Sequence, residues 1–175
     1  ILPSGVETVI EEITSMDGAL DSAEEGASIA VTLQDEVDAS RGDMIVEASA
    51  SAELSDQFRV NIIWMHEQQM MPGRSYIIKI EGGTANATIA KPRYKINVNN
   101  YERLPADVLE LNDIGSCNIS LDRNIAFDAY EENRTTGSFI LIDRESNATV
   151  GAGLIRYALR RASNIHWQAL EINKV

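Results

Sequence analysis

The stretch Gln57-Phe-Arg-Val-Asn-Ile-Ile-Trp64 carries the pattern that decides the fold class. Large apolar side chains fall at every second position, at Phe58, Val60, Ile62 and Trp64. Successive side chains of a β-strand point to opposite faces, so a period of two places all four on one face. The pattern predicts a strand that buries its even-numbered side chains.

The same alternation recurs along the chain, which favours an all-β fold. Further strands are predicted at Tyr76–Ile80, Ala85–Ile89, Tyr94–Val98, Cys117–Leu121, Phe139–Asp143 and Val150–Leu154. Strands in this number and at this spacing are typical of a barrel or a sandwich. The predicted core contains Phe58, Val60, Ile62, Trp64, Tyr76, Ile78, Ile119, Leu121, Phe139 and Leu141.

Two glycine-containing stretches have predicted structural roles. Met71-Pro-Gly-Arg74 places proline where a type II turn fixes φ and glycine where that turn needs a positive φ. The strands on either side are therefore expected to pair as a hairpin. Gly151-Ala-Gly153 lies inside an alternating strand, so its glycines are predicted to allow close backbone packing rather than nucleotide binding.

The first part of the chain has a different sequence pattern, because acidic loops separate shorter apolar runs. Strands are predicted near Glu7–Thr14, Ser28–Leu33 and Asp43–Val46, with a loop over Asp17–Gly26. The stretch Ala48–Glu53 lacks bulky apolar residues and is the linker candidate. We therefore divide the chain into residues 1–50, a barrel domain over 51–157 and a tail over 158–175.

Composition excludes several classes of protein. The chain has 175 residues, 44% of them hydrophobic and 24% charged, which is the composition of a folded globular protein. Its net charge of −12 disfavours nucleic acid and anionic membranes as partners, because each phosphate contact normally needs a cation. The single cysteine, Cys117, excludes an internal disulfide and favours a reducing cytoplasm. The first residue is not methionine, so the sequence is expected to be a piece of a longer protein.

No catalytic motif is present. The sequence has no phosphate loop of the form G-x-x-x-x-G-K-[ST] and no H-E-x-x-H pair. His66 at a strand end could act as a general base or be a polar turn residue. His166 in the tail could stack at an interface or pack on its own domain. Cys117 is expected to face the core, so no catalytic, cofactor-binding or metal-binding residue is predicted, and the roles of the three residues stay open.

Arginines supply the candidate contacts with other domains or partners. Arg74 in the Pro-Gly turn and Arg134 in the loop after Asn133 are placed where a barrel rim would meet a neighbour. The two basic concentrations are Lys91-Pro-Arg93 and Arg156–Arg161. Either could contact a phosphate or an acidic partner, and solvated strand ends are the simpler interpretation.

Particular strings carry more specific information than periodicity. Arg59-Val-Asn-Ile-Ile-Trp-Met-His-Glu67 resembles the start of the third domain in the GTPase subunit of bacterial heterodimeric sulfate adenylyltransferase. Later strings resemble the same family in order and spacing: Asn112-Asp-Ile-Gly115, Ser120-Leu-Asp-Arg123, Ala126-Phe-Asp-Ala-Tyr-Glu-Glu-Asn-Arg134, Thr136-Gly-Ser-Phe-Ile-Leu-Ile-Asp-Arg144 and Asn147-Ala-Thr-Val-Gly-Ala-Gly153. Leu2-Pro-Ser-Gly5 and Ser40-Arg-Gly-Asp43 resemble the second half of its second domain.

The resemblance implies elongation factor Tu-like β-barrels, with part of a second-domain barrel followed by a complete third-domain barrel. It implies a subunit that hydrolyses GTP with Mg²⁺ in a separate nucleotide domain and drives a catalytic adenylyltransferase subunit. Their product is adenosine 5′-phosphosulfate, made from ATP and sulfate. The chain itself is then non-catalytic and holds no cofactor, and an adenylylsulfate kinase domain is a further possible neighbour.

Two other functions compete with this interpretation. A translation elongation factor relative would bind tRNA through its barrels, and the net charge of −12 counts against it. A free-standing barrel that binds a small molecule would need a cavity with convergent polar groups, which the strand patterns do not indicate.

Overall fold

The computed structural model describes residues 1–50, 52–81 and 83–159. Within these residues the chain forms eleven strands and one short 3₁₀-helix, Ala48–Ala50. The strands are β1 Ile10–Ser15, β2 Gly18–Leu20, β3 Ala30–Leu33, β4 Glu53–Trp64, β5 Ser75–Ile80, β6 Gly83–Ile89, β7 Tyr94–Ile96, β8 Arg103–Leu104, β9 Ile114–Phe127, β10 Ser138–Asp143 and β11 Thr149–Ala158. In this part of the chain, no helix has the length and apolarity needed to span a membrane.

Six of these strands close into an antiparallel barrel. Their order is β4-β11-β10-β5-β6-β9, and β9 pairs back with β4 to complete the ring. Closure pairs both edges of the sheet, which leaves no exposed edge around the ring. The all-β fold expected from the alternation is confirmed, and of the barrel and the sandwich that the alternation left open, the structure forms the barrel.

The barrel interior is filled by the side chains that the alternation predicted. All ten predicted core residues are buried, and Val60, Ile62 and Leu141 are fully enclosed. Aromatic pairs meet edge to face, with the Trp64 and Tyr76 ring centroids 5.8 Å apart. The period-two pattern of β4 therefore reports the inward face directly.

The prediction for the inward face of β11 is wrong after its first residues. Val150 is buried as expected, but Ala152 and Leu154 are only half-buried, whereas Gly153 and Ile155 face the core. The register between β10 and β11 shifts between Leu141 and Ile142, which marks a β-bulge at this point. One extra residue in a strand reverses the faces of those that follow.

The two glycines of β11 pack tightly, as predicted. A Cβ atom on Gly153 would lie 2.1 Å from the Cζ atom of Phe139, and one on Gly151 would lie 2.8 Å from the Ile63 carbonyl oxygen. Only glycine therefore lets β11 pass this close to the Phe139 ring and to β4.

The turn before β5 is confirmed, but the hairpin expected around it is wrong. Gly73 has φ +82°, and the Arg74 N–H donates to the Met71 carbonyl at 3.2 Å. However, β4 pairs with β11 and β9, while β5 pairs with β10 and β6. The connection crosses the end of the barrel, where the buried Met70 closes the core beside Leu109.

A two-stranded flap leaves the barrel at β9. Tyr94–Ile96 pairs with the first residues of β9 and with Arg103–Leu104. The strand predicted over Tyr94–Val98 is therefore present in part but outside the ring, and Val98 is 57% exposed. We call β7 and β8 the flap.

The first part of the chain is a small separate sheet of order β2-β1-β3. The strand predicted over Asp43–Val46 is wrong, because only Met44 bridges to Leu2. Pro3 follows Leu2 and has no N–H with which to continue that pairing. The loop predicted over Asp17–Gly26 is wrong in part, because Gly18–Leu20 forms β2 after a two-residue turn. These small residues carry no alternation that would have indicated a strand.

Candidate functional site

Arg74 lies at one end of β10 and is anchored within the chain. Its Nη2 atom is 2.7 Å from Asp143 Oδ2 and 3.4 Å from Glu145 Oε2. Its guanidinium carbon lies 5.9 Å from the centroid of the Tyr76 ring. N–H groups of Ser146 and Glu145, the Ser146 hydroxyl and Arg74 together hold the pKa of the Asp143 carboxyl below its ordinary value, against an opposing effect of burial. Arg74 therefore joins two turns of the barrel rim.

Arg134 lies in the loop that precedes β10, and its side chain is exposed. Asn133 organises this loop, because its Oδ1 atom accepts the Thr135 N–H at 3.0 Å and its carbonyl accepts the Gly137 N–H at 2.9 Å. The Thr136 hydroxyl donates to Asp128 Oδ2 at 2.6 Å. The loop therefore presents Arg134 from a fixed backbone.

The structure does not bring these two arginines together. Arg134 precedes Ser138 and Arg74 contacts Asp143, so the whole of β10 separates them. Six residues at about 3.3 Å per step give a separation of about 17 Å. If both contact a neighbour, they contact it at opposite ends of the barrel.

A groove that the sequence analysis did not identify crosses the outer face of β11, β4 and β9 and ends against the flap. Its volume is about 790 Å³. We call it the arginine groove because, of the residues that the structure describes, four arginines and no carboxylate line it. The lining residues are Arg59, Asn61, Arg93, Tyr94, Ile96, Tyr101, Arg103, Ser116, Arg156 and Tyr157.

Strand register explains why these residues meet. Arg59 on β4 lies opposite Tyr157 on β11 and Asn118 on β9. One step along, Asn61 lies opposite Ser116, which in turn lies opposite Tyr94 on the flap. Arg59 and Asn61 alternate along β4 with the buried even-numbered residues, so their side chains and those of their cross-strand neighbours lie on the outer face of the barrel.

Arg59 forms the floor of the arginine groove and is only 8% exposed. Its Nε atom is buried without a hydrogen-bond partner among the described residues, and the same holds for Asn118 Oδ1 on the neighbouring strand. Buried polar atoms are normally paired, because leaving one unsatisfied costs its full desolvation. Arg59 therefore brings an unpaired donor to the groove floor, and the unpaired acceptor of Asn118 lies on the neighbouring strand, outside the groove lining.

The other three arginines lie around this floor. The Arg103 guanidinium carbon stacks 4.8 Å from the centroid of Tyr94. Arg156 Nη1 lies 2.6 Å from Oε1 of Glu131, a residue of the loop that presents Arg134. The exposed Arg93 is fixed by its backbone N–H, which donates to the Ser116 carbonyl at 2.9 Å. Arg93 and Arg156 belong to the two basic concentrations singled out in the sequence, and the fold brings them to one groove.

Two of the three residues whose roles the sequence left open, His66 and Cys117, lie in the described part of the chain. His66 Nδ1 accepts the Gln68 N–H at 3.1 Å, and Trp64 Nε1 donates to the Gln68 carbonyl at 2.8 Å, so His66 helps to shape a turn. Cys117 is fully buried, and burial raises the pKa of its thiol to about 12 despite the nearby charge of Arg59. His166 and the basic residues after Leu159 lie outside the described residues. No group of metal-binding side chains occurs within residues 1–50, 52–81 and 83–159.

Comparisons with known proteins identify what this chain is similar to. Residues 57–156 match the family model described as GTP-eEF1A C-terminal domain-like. The chain is 48% identical over 174 residues to the bifunctional enzyme NodQ of Rhizobium meliloti (strain 1021), which covers 99% of this chain and 27% of NodQ. It is 41% identical over 192 residues to sulfate adenylyltransferase subunit 1 of Aeromonas hydrophila, which covers 99% of this chain and 40% of that protein.

A solved structure supports the fold. The structure of sup35 complexed with GDP matches with a TM-score of 0.80 at 15% identity, covering 91% of this chain and 40% of that one. At this identity the likeness concerns the fold alone. The chain spans between about a quarter and two fifths of the length of the two curated relatives named above.

Proposed function

The chain belongs to the GTP-eEF1A C-terminal domain-like family, and from that premise we propose that it is the β-barrel region of a GTP-hydrolysing sulfate adenylyltransferase subunit. The observation that carries the proposal is similarity along 99% of the chain to proteins named sulfate adenylyltransferase subunit 1 and NodQ. The whole protein would couple GTP hydrolysis to the synthesis of adenosine 5′-phosphosulfate from ATP and sulfate. Because Cys117 is the only thiol in these 175 residues and is buried, a reducing cytoplasm is the proposed location.

In this proposal the chain transmits the nucleotide state and performs no chemistry itself. GTP and Mg²⁺ would bind to a separate nucleotide domain, since no phosphate loop occurs in this sequence. A GTPase can change a distant reaction only if its two states make different contacts with the responding partner. A closed barrel with a filled core is a rigid body, so a displacement imposed at one end by the nucleotide domain would move the other end as well.

The proposed neighbours are the nucleotide domain and the catalytic adenylyltransferase subunit. Residues 1–50 would complete a barrel with preceding strands of the longer protein, and residues 51–157 would be the third domain. An adenylylsulfate kinase domain is proposed as a further neighbour, and the name of NodQ, a bifunctional enzyme, is consistent with a second activity in a longer relative. Arg134, exposed on a loop with a fixed backbone, is the proposed contact residue, whereas Arg74 already pairs with Asp143.

The test uses the full-length protein together with the catalytic subunit. Arg134→Glu should reduce the stimulation of adenosine 5′-phosphosulfate synthesis by GTP, while the basal rate without GTP stays unchanged. Arg134→Lys keeps the charge and is the matched control, so it should retain most of the stimulation. Equal stimulation in the parent and the Glu variant would remove Arg134 from the interface.

A second measurement tests whether GTP binding belongs to a separate domain and not to this chain. By calorimetry, the 175-residue chain should show no micromolar binding of GTP, because it lacks the backbone cradle and the lysine that hold phosphates. Binding of GTP by this chain would contradict the proposal that nucleotide chemistry lies elsewhere.

A further inference from the structure

We propose that the arginine groove is a docking site for an acidic segment of a partner protein. This inference concerns a different surface from Arg74 and Arg134 and does not depend on the function proposed above. Three observations carry it: the unsatisfied arginine at the groove floor, the local excess of positive charge, and the composition of the walls.

The groove floor indicates a ligand that accepts hydrogen bonds. Arg59 is 8% exposed, and its Nε atom has no partner among the described residues. A guanidinium presents its N–H groups in a planar fork that fits a carboxylate in two-point contact. Arg59 lines the groove, so a carboxylate entering it would lie beside this guanidinium, although the Nε atom itself is enclosed.

Charge makes the groove an exception on this protein. The whole sequence has a net charge of −12, yet within residues 1–50, 52–81 and 83–159 no Asp or Glu lines the arginine groove. In the described part of the chain, Arg59, Arg93 and Arg103 form no ion pair, whereas Arg156 pairs with Glu131. The Glu131 carboxylate, 2.6 Å from Arg156 Nη1, already makes at the groove edge the kind of contact that a partner's carboxylates would make.

The walls favour a protein partner over a nucleic acid. Tyr94, Tyr101 and Tyr157 line the groove beside the arginines, and none of the lysines that the structure describes does. Protein interfaces are enriched in Tyr and Arg and depleted in Lys, Asp and Glu. Tyr101 is 82% exposed and is held at φ 60° in a turn closed by its N–H to the Asn97 carbonyl, so it projects as a fixed aromatic anchor. The acidic remainder of the surface would repel a nucleic acid.

The dimensions indicate an extended segment. A groove of about 790 Å³ is far larger than a single carboxylate or phosphate group requires. It runs from Arg103 on the flap, over Arg59, to Arg156 on β11. A segment with carboxylates at several positions would engage all three and would displace Glu131 from Arg156.

The direct test measures the fluorescence anisotropy of fluorescein-labelled hexaglutamate with the 175-residue chain, at low and high ionic strength. Hexaglutamate should bind, with affinity falling as salt rises, and hexaglutamine should not. Arg103→Gln should weaken binding about tenfold, as expected for the loss of a charge-assisted contact. Lys79→Gln, on the exposed face of β5 across the barrel from the groove, is the matched control and should change affinity less than twofold.

Two further variants complete the test. Glu131→Gln should tighten hexaglutamate binding several-fold, because it releases Arg156 from its internal partner. Arg93 is exposed, so Arg93→Gln should fold normally and weaken hexaglutamate binding.

Specific outcomes would overturn the proposal. Equal weakening by Lys79→Gln would mean a general charge effect. Equal competition by inorganic phosphate, or tighter binding of a short oligouridylate, would mean a phosphate or RNA site instead. Absence of hexaglutamate binding at low ionic strength would remove the docking site altogether.

Discussion

Arg74 and Asp143 join two turns at one end of the barrel, with Arg74 Nη2 2.7 Å from Asp143 Oδ2. Arg74 follows the turn before β5, and Asp143 ends β10, the neighbour of β5. The same carboxylate accepts the N–H groups of Glu145 and Ser146 at 3.0 Å each. One side chain therefore fixes the connection between β10 and β11 and ties it to the turn before β5.

This arrangement predicts a specific pH dependence of stability. The pKa of Asp143 is lower in the folded chain than its ordinary value, chiefly because of the Ser146 N–H. A lowered carboxyl pKa stabilises the fold fully above the unfolded value, about 3.9, and this stabilisation disappears as pH falls through the folded pKa. At pH 7, Asp143→Asn should therefore lower the free energy of unfolding, measured with urea, by about 1–3 kcal/mol. At low pH the free energy of unfolding of this variant should approach that of the parent.

The matched control for this prediction is Glu145→Gln. Glu145 also contacts Arg74, but its side chain is 87% exposed, so its pair should contribute about 0–1 kcal/mol. A pH profile of Asp143→Asn that runs parallel to that of the parent would contradict the assigned role.

Trp64→Ala should be among the most destabilising substitutions in the barrel. Trp64 is 2% exposed, packs edge to face on Tyr76 and donates its Nε1–H to the Gln68 carbonyl. Truncation of a buried aromatic side chain costs about 3–5 kcal/mol. Trp64→Phe retains part of the packing and should lose less, as measured by chemical unfolding. An alanine variant that melts like the parent would disprove the inward register of β4.

Gly153→Ala should destabilise the barrel although it adds only a methyl group. The new Cβ would lie 2.1 Å from the Phe139 ring, so β11 or the ring must move, at a cost of about 1–3 kcal/mol. Gly83→Ala is the control, because its Cβ would meet only the flexible end of Arg123 at 3.4 Å. Thermal unfolding of both variants compares the two sites, and similar melting temperatures would contradict close packing at Gly153.

The sequence predicted the barrel core well because a period of two is a local property of each strand. Phe58 and Ile62 need no knowledge of partners to be assigned inward. Strand partners depend on long-range pairing, so the expected hairpin between β4 and β5 was wrong. The prediction of which residues of β11 face inward was wrong because the bulge opposite Leu141 leaves no pattern in the residue types.

The arginine groove escaped sequence analysis for the same reason. Arg93 and Arg156 were visible as basic residues, but 63 positions separate them in the sequence, from 93 to 156. Only the register of β4, β9 and the flap brings them beside Arg59. Arg59 alternates with the apolar core residues of β4, which assigns it to the outward face, but its burial there depends on the neighbouring strands and the flap.

The Cys117 thiol should be unreactive until the barrel unfolds. Burial raises its pKa to about 12, and the thiolate is the reactive form. At pH 8 a thiol reagent should label the native chain very slowly and the urea-unfolded chain fast. Because the unfolded thiol ionises near its ordinary pKa and the folded one does not, stability should also fall as pH rises above about 9. Rapid labelling under native conditions would contradict burial in a closed core.

The small sheet of β1, β2 and β3 should exchange its amide hydrogens faster than the barrel. No residue of these three strands is buried, and the apolar residues Val9, Ile10 and Met16, in or next to β1, are exposed. Three strands without a buried face are marginally stable, and in the described part of the chain the outer edges of β2 and β3 are unpaired.

Among the described residues, loops around this sheet reach the barrel: Leu2, Pro3 and residues 41–44 line a cleft of about 120 Å³ with Ile80, Glu81 and the β9 residues 123–126. Exchange measured by mass spectrometry should therefore show low protection over residues 10–33 and high protection over β4 and β9. If light scattering shows a dimer, protection of β1–β3 should rise with protein concentration, because the unpaired edges would then pair between molecules. Protection of residues 10–33 equal to that of the barrel in a monomer would mean that this sheet is a complete fold.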